Sequence, residues 1–119
     1  MMEIFKEFSF EAAHRLPNVP ENHKCHKLHG HSYRVLVHVQ GPVGDQTGWV
    51  IDFSDIEEAF EPLRKQLDHQ YLNEIPGLEN PTSEIIARWI WERLDPKILG
   101  LSKILVRETP SAGAIYHGK

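Results

Sequence analysis

The sequence of 119 residues contains a single cysteine, Cys25, so no disulfide framework can form within the chain and a reducing, cytoplasmic setting is expected. An excess of basic residues is also lacking. Thirteen Lys and Arg stand against seventeen Asp and Glu, a net charge of −4 that argues against a nucleic-acid partner. No apolar run approaches the roughly 18 residues of a membrane span, and the charged start at Glu3, Lys6 and Glu7 is unlike a signal peptide, so no membrane partner is expected. There is no Gly-rich phosphate-binding loop, no repeat, no low-complexity tract and no linker, which leaves one domain over residues 1–119. With 40% hydrophobic and 25% charged residues, the composition excludes a disordered chain. What is abundant is histidine. There are eight, and five of them (His14, His23, His26, His29 and His31) fall within eighteen consecutive residues beside Cys25.

Alternation of apolar and polar residues predicts a half-buried strand from about Glu3 to Ala12 and a second over residues 31–40, where Tyr33, Val35, Val37 and Val39 face inwards. Between them, residues 15–30 hold prolines, asparagines and charges and read as a long loop, a feature that is usually functional in a compact domain. Gly41, Pro42, Gly44, Asp45 and Gly48 mark a turn, and Trp49 to Phe53 read as a short third strand. A first helix is predicted to open on a capping box at Ser54–Glu57, with Pro62 expected to kink it or cost an amide bond. A second opens at Asn80-Pro81-Thr82-Ser83-Glu84, with Pro in its first turn, and buries Ile85, Ile86, Trp89 and Ile90. A last strand runs from Lys103 to Thr109. This order, β-β-β-α-α-β, argues for an antiparallel sheet with two helices on one face, an α+β fold.

His29-Gly30-His31 is the sharpest local signal for chemistry. Residues two apart on a strand share a face, so both imidazoles can converge on one ion. His14 can supply a third if the first two strands pair across the loop. Three histidines with one position left open suit Zn²⁺ in its catalytic arrangement. Cys25 has three readings: a fourth ligand, an inert core thiol, or a reactive base whose thiolate form is favoured by positive neighbours. Its polar loop makes the core reading the weakest, and the residues do not separate ligand from base. In Asp68-His69 a carboxylate can orient an imidazole for proton exchange, although a His⁺ facing the carbonyl dipole at a helix end is by itself the commoner explanation. Glu108 shares a strand face with Ile104 and Val106, where a carboxylate is costly unless it binds something; exposure on an edge strand is the alternative. Arg15, Lys24 and Lys27 are candidates for binding a phosphate, and a solvated loop explains them equally well.

His14, Cys25-x3-His29-Gly30-His31, Asp68-His69, Asn80-Pro81-Thr82-Ser83-Glu84 and Glu108-Thr109 resemble, in order and spacing, the motifs of the 6-pyruvoyltetrahydropterin synthase family. The likeness runs from Phe5 to about Tyr116, and the three residues between Cys25 and His29 resemble the bacterial branch that serves queuosine biosynthesis. The resemblance implies the tunnelling fold (T-fold), a four-stranded antiparallel sheet with two helices on one face. It implies assembly through the sheets into a homo-oligomeric β-barrel, commonly a hexamer of two trimers, with active sites between subunits. It also implies Zn²⁺ held by His14, His29 and His31, Cys25 as the proton-abstracting base, Asp68 and His69 as its relay, and Glu108 as the anchor of a pterin. The implied activity is a carbon–carbon lyase that converts 7,8-dihydroneopterin triphosphate to 6-carboxy-5,6,7,8-tetrahydropterin, releasing acetaldehyde and triphosphate. Elimination of triphosphate alone, giving 6-pyruvoyltetrahydropterin, is the alternative on the same scaffold. A non-catalytic zinc-stabilised module, with Cys25 as fourth ligand, would leave Asp68-His69 and Glu108 unexplained.

Overall fold

A computed structural model describes residues 1–119. Two long strands, β1 (Met2–His14) and β2 (His29–Gly41), form an antiparallel hairpin in register from Met2 opposite Gly41 to His14 opposite His29. Helix α1 (Phe53–Leu67) follows, then β3 (Gln70–Tyr71), α2 (Ser83–Leu94), β4 (Leu101–Thr109) and β5 (Ala112–Tyr116). The sheet order is β3-β1-β2-β4-β5. Its four longer strands are antiparallel, as expected, while the two-residue β3 runs parallel to β1 along the edge at Ala12 and Ala13.

Period-two patterning decides which face is covered. Phe10, Ala12 and His14 of β1, Tyr33, Val35, Val37 and Val39 of β2, and Ile104 and Val106 of β4 are all buried on the side where both helices pack. The helices contribute Ile56, Phe60, Leu63 and Leu67 from α1, and Ile86, Ala87, Trp89, Ile90 and Leu94 from α2. No helix is long and apolar enough to cross a membrane.

Three local expectations are corrected. Trp49 to Phe53 is not a strand but the lead-in to α1, whose cap is Asp52: its Oδ1 accepts from the Ser54 N–H at 2.9 Å, in place of the Ser54 capping box. Pro62 lies inside α1 and, having no N–H, costs it one amide bond, as expected. Helix α2 is capped by Thr82, whose Oγ1 accepts from Ile85 N–H at 3.1 Å, so Pro81 precedes the cap. Finally, β4 starts at Leu101 and turns back as β5, a hairpin that the weak alternation of Ala112–Tyr116 conceals.

The register of β4 against β5 slips between Arg107 and Thr109, which leaves Glu108 at a bulge. Bulges re-aim side chains beside functional sites. Gly113 permits this one: a Cβ there would collide with the Val106 carbonyl oxygen and crowd the Arg107 Cα.

Candidate metal centre

The β1–β2 register places His14 opposite His29, and Ala12 opposite His31, at the open end of the covered face. The three imidazoles meet edge to face there, with ring centroids 4.5–5.1 Å apart. One nitrogen from each lies within 4.8 Å of the other two. His14 is fully buried, and His29 and His31 are half-buried.

Hydrogen bonding on the far side of each ring decides which nitrogens are free. His14 Nδ1 lies 2.8 Å from the Pro81 carbonyl oxygen, and His29 Nδ1 lies 2.7 Å from that of Lys27. A carbonyl only accepts, so both Nδ1 atoms carry the proton and both Nε2 atoms present bare lone pairs. Those two Nε2 atoms are 3.0 Å apart. Two lone pairs at that distance repel unless a cation lies against both. His31 Nε2, also buried, has no hydrogen-bond partner at all. Burial pushes the His14 and His31 imidazoles below their ordinary value, against the smaller opposing pull of the Pro81 carbonyl on His14 and of the Glu108 charge on both. A neutral, nitrogen-rich cluster with an orphaned buried atom fits a transition-metal ion of the Zn²⁺ type.

Two contributors were invisible in residue types. The Pro81 carbonyl is available because it precedes the α2 cap and belongs to no helical ladder; the Asn80–Glu84 motif marked the helix start and not this role. The Tyr33 hydroxyl, completely buried, lies 3.1 Å from His14 Nδ1, and burial followed by the Glu108 charge pushes its ionisation up. Asn73 also ties the chain just beyond His14, accepting from the Arg15 N–H at 3.0 Å and donating to the Arg15 carbonyl at 2.8 Å.

Glu108 reaches the same place from β4. Its Oε1 is 3.7 Å from His14 Nε2 and 3.8 Å from His31 Nε2. Cys25 lies outside the nitrogen cluster, half-buried in a short 3-10 turn, Lys24–His26. Its carbonyl accepts from Leu16 N–H at 2.8 Å and its N–H donates to His23 Nδ1 at 3.0 Å, so the loop is folded back on β1. His26 of that turn stands 3.5 Å from an Arg15 guanidinium nitrogen.

Asp68 caps the C-terminus of α1 and grips the edge of β1. Its Oδ1 accepts from Glu11 N–H at 2.9 Å, while Oδ2 is 3.0 Å from His69 Nδ1 and 3.6 Å from Arg64. The Glu11 amide and then His69 hold the Asp68 carboxyl below its usual range. His69 donates its own N–H to the Glu11 carbonyl, adopts a left-handed backbone at φ 59°, and leaves its side chain 78% exposed. A cleft of about 540 Å³ brings His31 and His69 to one surface, together with Glu11, Gly30, Ser32 and Tyr71.

Comparison with known proteins places this geometry in a family. The family model described as 6-pyruvoyl tetrahydropterin synthase matches residues 3–119. The chain is 48% identical to the 6-carboxy-5,6,7,8-tetrahydropterin synthase of Synechocystis, over 98% of this chain and 93% of that protein. It is 36% identical to the dihydroneopterin monophosphate aldolase of Pyrococcus furiosus, over 85% and 82% respectively. Among solved structures it superposes on the 6-pyruvoyl tetrahydropterin synthase of Caenorhabditis elegans with a TM-score of 0.91 and 26% identity, covering 99% of this chain and 96% of that one.

Proposed function

The chain belongs to the 6-pyruvoyl tetrahydropterin synthase family, and from that premise we propose that it is a zinc-dependent carbon–carbon lyase acting on 7,8-dihydroneopterin triphosphate. Its product is 6-carboxy-5,6,7,8-tetrahydropterin, with acetaldehyde and triphosphate released, the chemistry that serves queuosine biosynthesis. The relative from Synechocystis, similar over nearly the whole of both chains, supports the choice of product. The single observation that carries the metal-dependent chemistry is the pair of bare Nε2 atoms 3.0 Å apart beside an unpartnered third.

His14, His29 and His31 would hold the ion. Zn²⁺, when bound, supplies a Lewis acid for the side-chain hydroxyls of the substrate and for the negative charge that develops beside them. The remaining roles fall to this chain's own groups. Cys25 takes the proton from the carbon next to the hydroxyl. His69, oriented by Asp68 through Nδ1, keeps its other nitrogen exposed and can return a proton to the ring or side chain. Glu108 accepts paired hydrogen bonds from the ring N–H and amino group of the pterin. Arg15, Lys24 and Lys27, on the segment between β1 and β2, are the cationic groups available to the triphosphate. The assembly is a homo-oligomer, a hexamer with active sites between subunits, working in the cytoplasm.

Elimination of triphosphate alone, with the three-carbon side chain retained, is the second reading, and the structural likeness to the Caenorhabditis elegans synthase favours it. Mass analysis of products after incubation with zinc and dihydroneopterin triphosphate separates the two. Acetaldehyde with the carboxypterin is expected. Triphosphate release with an intact side chain would replace the lyase by the simple elimination.

A further inference from the structure

The carboxylate of Glu108 is left without a hydrogen-bond donor by its surroundings. The basic groups within 4 Å of it are two imidazole nitrogens. One of these, His14 Nε2, carries no proton, because the hydrogen of that ring is on Nδ1 and bound to the Pro81 carbonyl. The other, His31 Nε2, has no hydrogen-bond partner and stands 3.8 Å away, too far to donate. An anion facing lone pairs, with its side chain only 28% exposed, is repelled by them, and a cation between them would turn that repulsion into attraction. Oxygen is a competent ligand for the ion that a three-imidazole cluster selects.

We infer that Glu108 is the fourth donor to the metal in the substrate-free protein, and that the pterin ring draws it away. This rests on the metal reading given above and adds a second task to the residue assigned there to the pterin. The two tasks exclude one another in time. A carboxylate that accepts from the ring N–H and amino group of the pterin cannot remain on the ion, so recognition of the ring opens the position that the substrate hydroxyls then fill. No covalent bond changes; one ligand leaves and another arrives. The bulge at Glu108 supplies the freedom for this exchange, since the residue is released from the β4–β5 ladder while its neighbours stay paired. As placed, Glu108 is not among the residues whose ligand atoms all lie within 4.8 Å of one another, so ligation requires its side chain to rotate further towards His29.

Co²⁺ bound to the full chain reports its ligands by visible absorption, and competition with a chromophoric chelator gives the affinity. Glu108→Gln should weaken Co²⁺ binding by about 10–100-fold, the range seen when a supporting metal-site group is lost, and shift the spectrum. Unsubstituted pterin, which carries the ring N–H and amino group but no side-chain hydroxyl, should shift the spectrum of the wild-type protein and leave that of Glu108→Gln unmoved. Circular dichroism of both proteins, and Glu108→Asp as a shorter carboxylate, control for folding. An unchanged affinity and spectrum in folded Glu108→Gln would overturn the inference while leaving the metal and the pterin role intact. Failure of the wild-type protein to bind Co²⁺ would overturn the metal reading and this inference with it.

Discussion

At the scale of single residues, the cluster turns on which nitrogens carry protons. His14 and His31 are held below their ordinary value of 6.5 by burial, so the unfolded chain takes up protons there before the folded chain does. The metal-free protein is therefore most stable above about pH 6.5 and loses stability as pH falls towards the depressed folded values. Thermal unfolding of the metal-free protein between pH 7.5 and 5 should show a falling midpoint, and His31→Gln should flatten that fall. A wild-type midpoint that rises on acidification would refute the assignment of neutral buried imidazoles. Cys25 lies outside the nitrogen cluster, so Cys25→Ala should keep a full complement of zinc while losing most turnover. Elemental analysis showing the metal gone would make Cys25 a ligand instead.

At the scale of elements, the centre depends on backbone that no residue type announces. The residue before the α2 cap serves it through one carbonyl, Pro81, next to the Thr82 cap. Thr82→Ala should cost about 1 kcal/mol of stability and, by loosening Pro81, weaken metal affinity as read by chelator competition. Unchanged affinity would show that the carbonyl is placed by other contacts. The turn after α1 carries the opposite trade. His69 sits in a left-handed conformation that a side chain adopts at a cost of about 1–3 kcal/mol. His69→Gly should therefore raise the melting temperature and lower turnover; a loss of both would mean that the imidazole is structural.

The same scale explains what was legible beforehand. The faces of β1 and β2 followed from strict alternation, and His29-Gly30-His31 with His14 followed from it directly, because pairing of two adjacent strands is the simplest way to use the loop between them. Asp52 as a cap was hidden because Ser54–Glu57 offers an equally good local pattern, and only the geometry at Phe53 decides between them. The bulge at Glu108 and the β5 hairpin were hidden for a different reason. Gly113 and the small residues around it carry little periodic signal, and the need for them appears only where two backbones touch. Asp68 and Asn73 act through backbone groups of Glu11 and Arg15 far away in sequence, which composition does not reveal.

At the scale of the whole molecule, the chain is elongated, 57 × 23 × 23 Å, with a radius of gyration of 15.4 Å against roughly 13.5 Å for a compact domain of this length. Its sheet covers one face with helices and leaves the other bare, with Phe5 and Ile115 each 54% exposed there. Such a surface and two unprotected edge strands, β3 and β5, favour burial against further copies of the chain. Light scattering should give the mass of about six chains, and Ile115→Lys should reduce it; a wild-type monomer that turns over substrate would contradict the shared-site assembly.

The most direct test joins the metal to the reaction. Zinc content and product formation would be measured on one preparation, first as purified, then after chelation, then after zinc is returned. One zinc per chain is expected, with acetaldehyde formation from dihydroneopterin triphosphate lost on chelation and regained on reconstitution, and His29→Ala showing neither metal nor product. Sustained product formation by the metal-free protein would contradict the account.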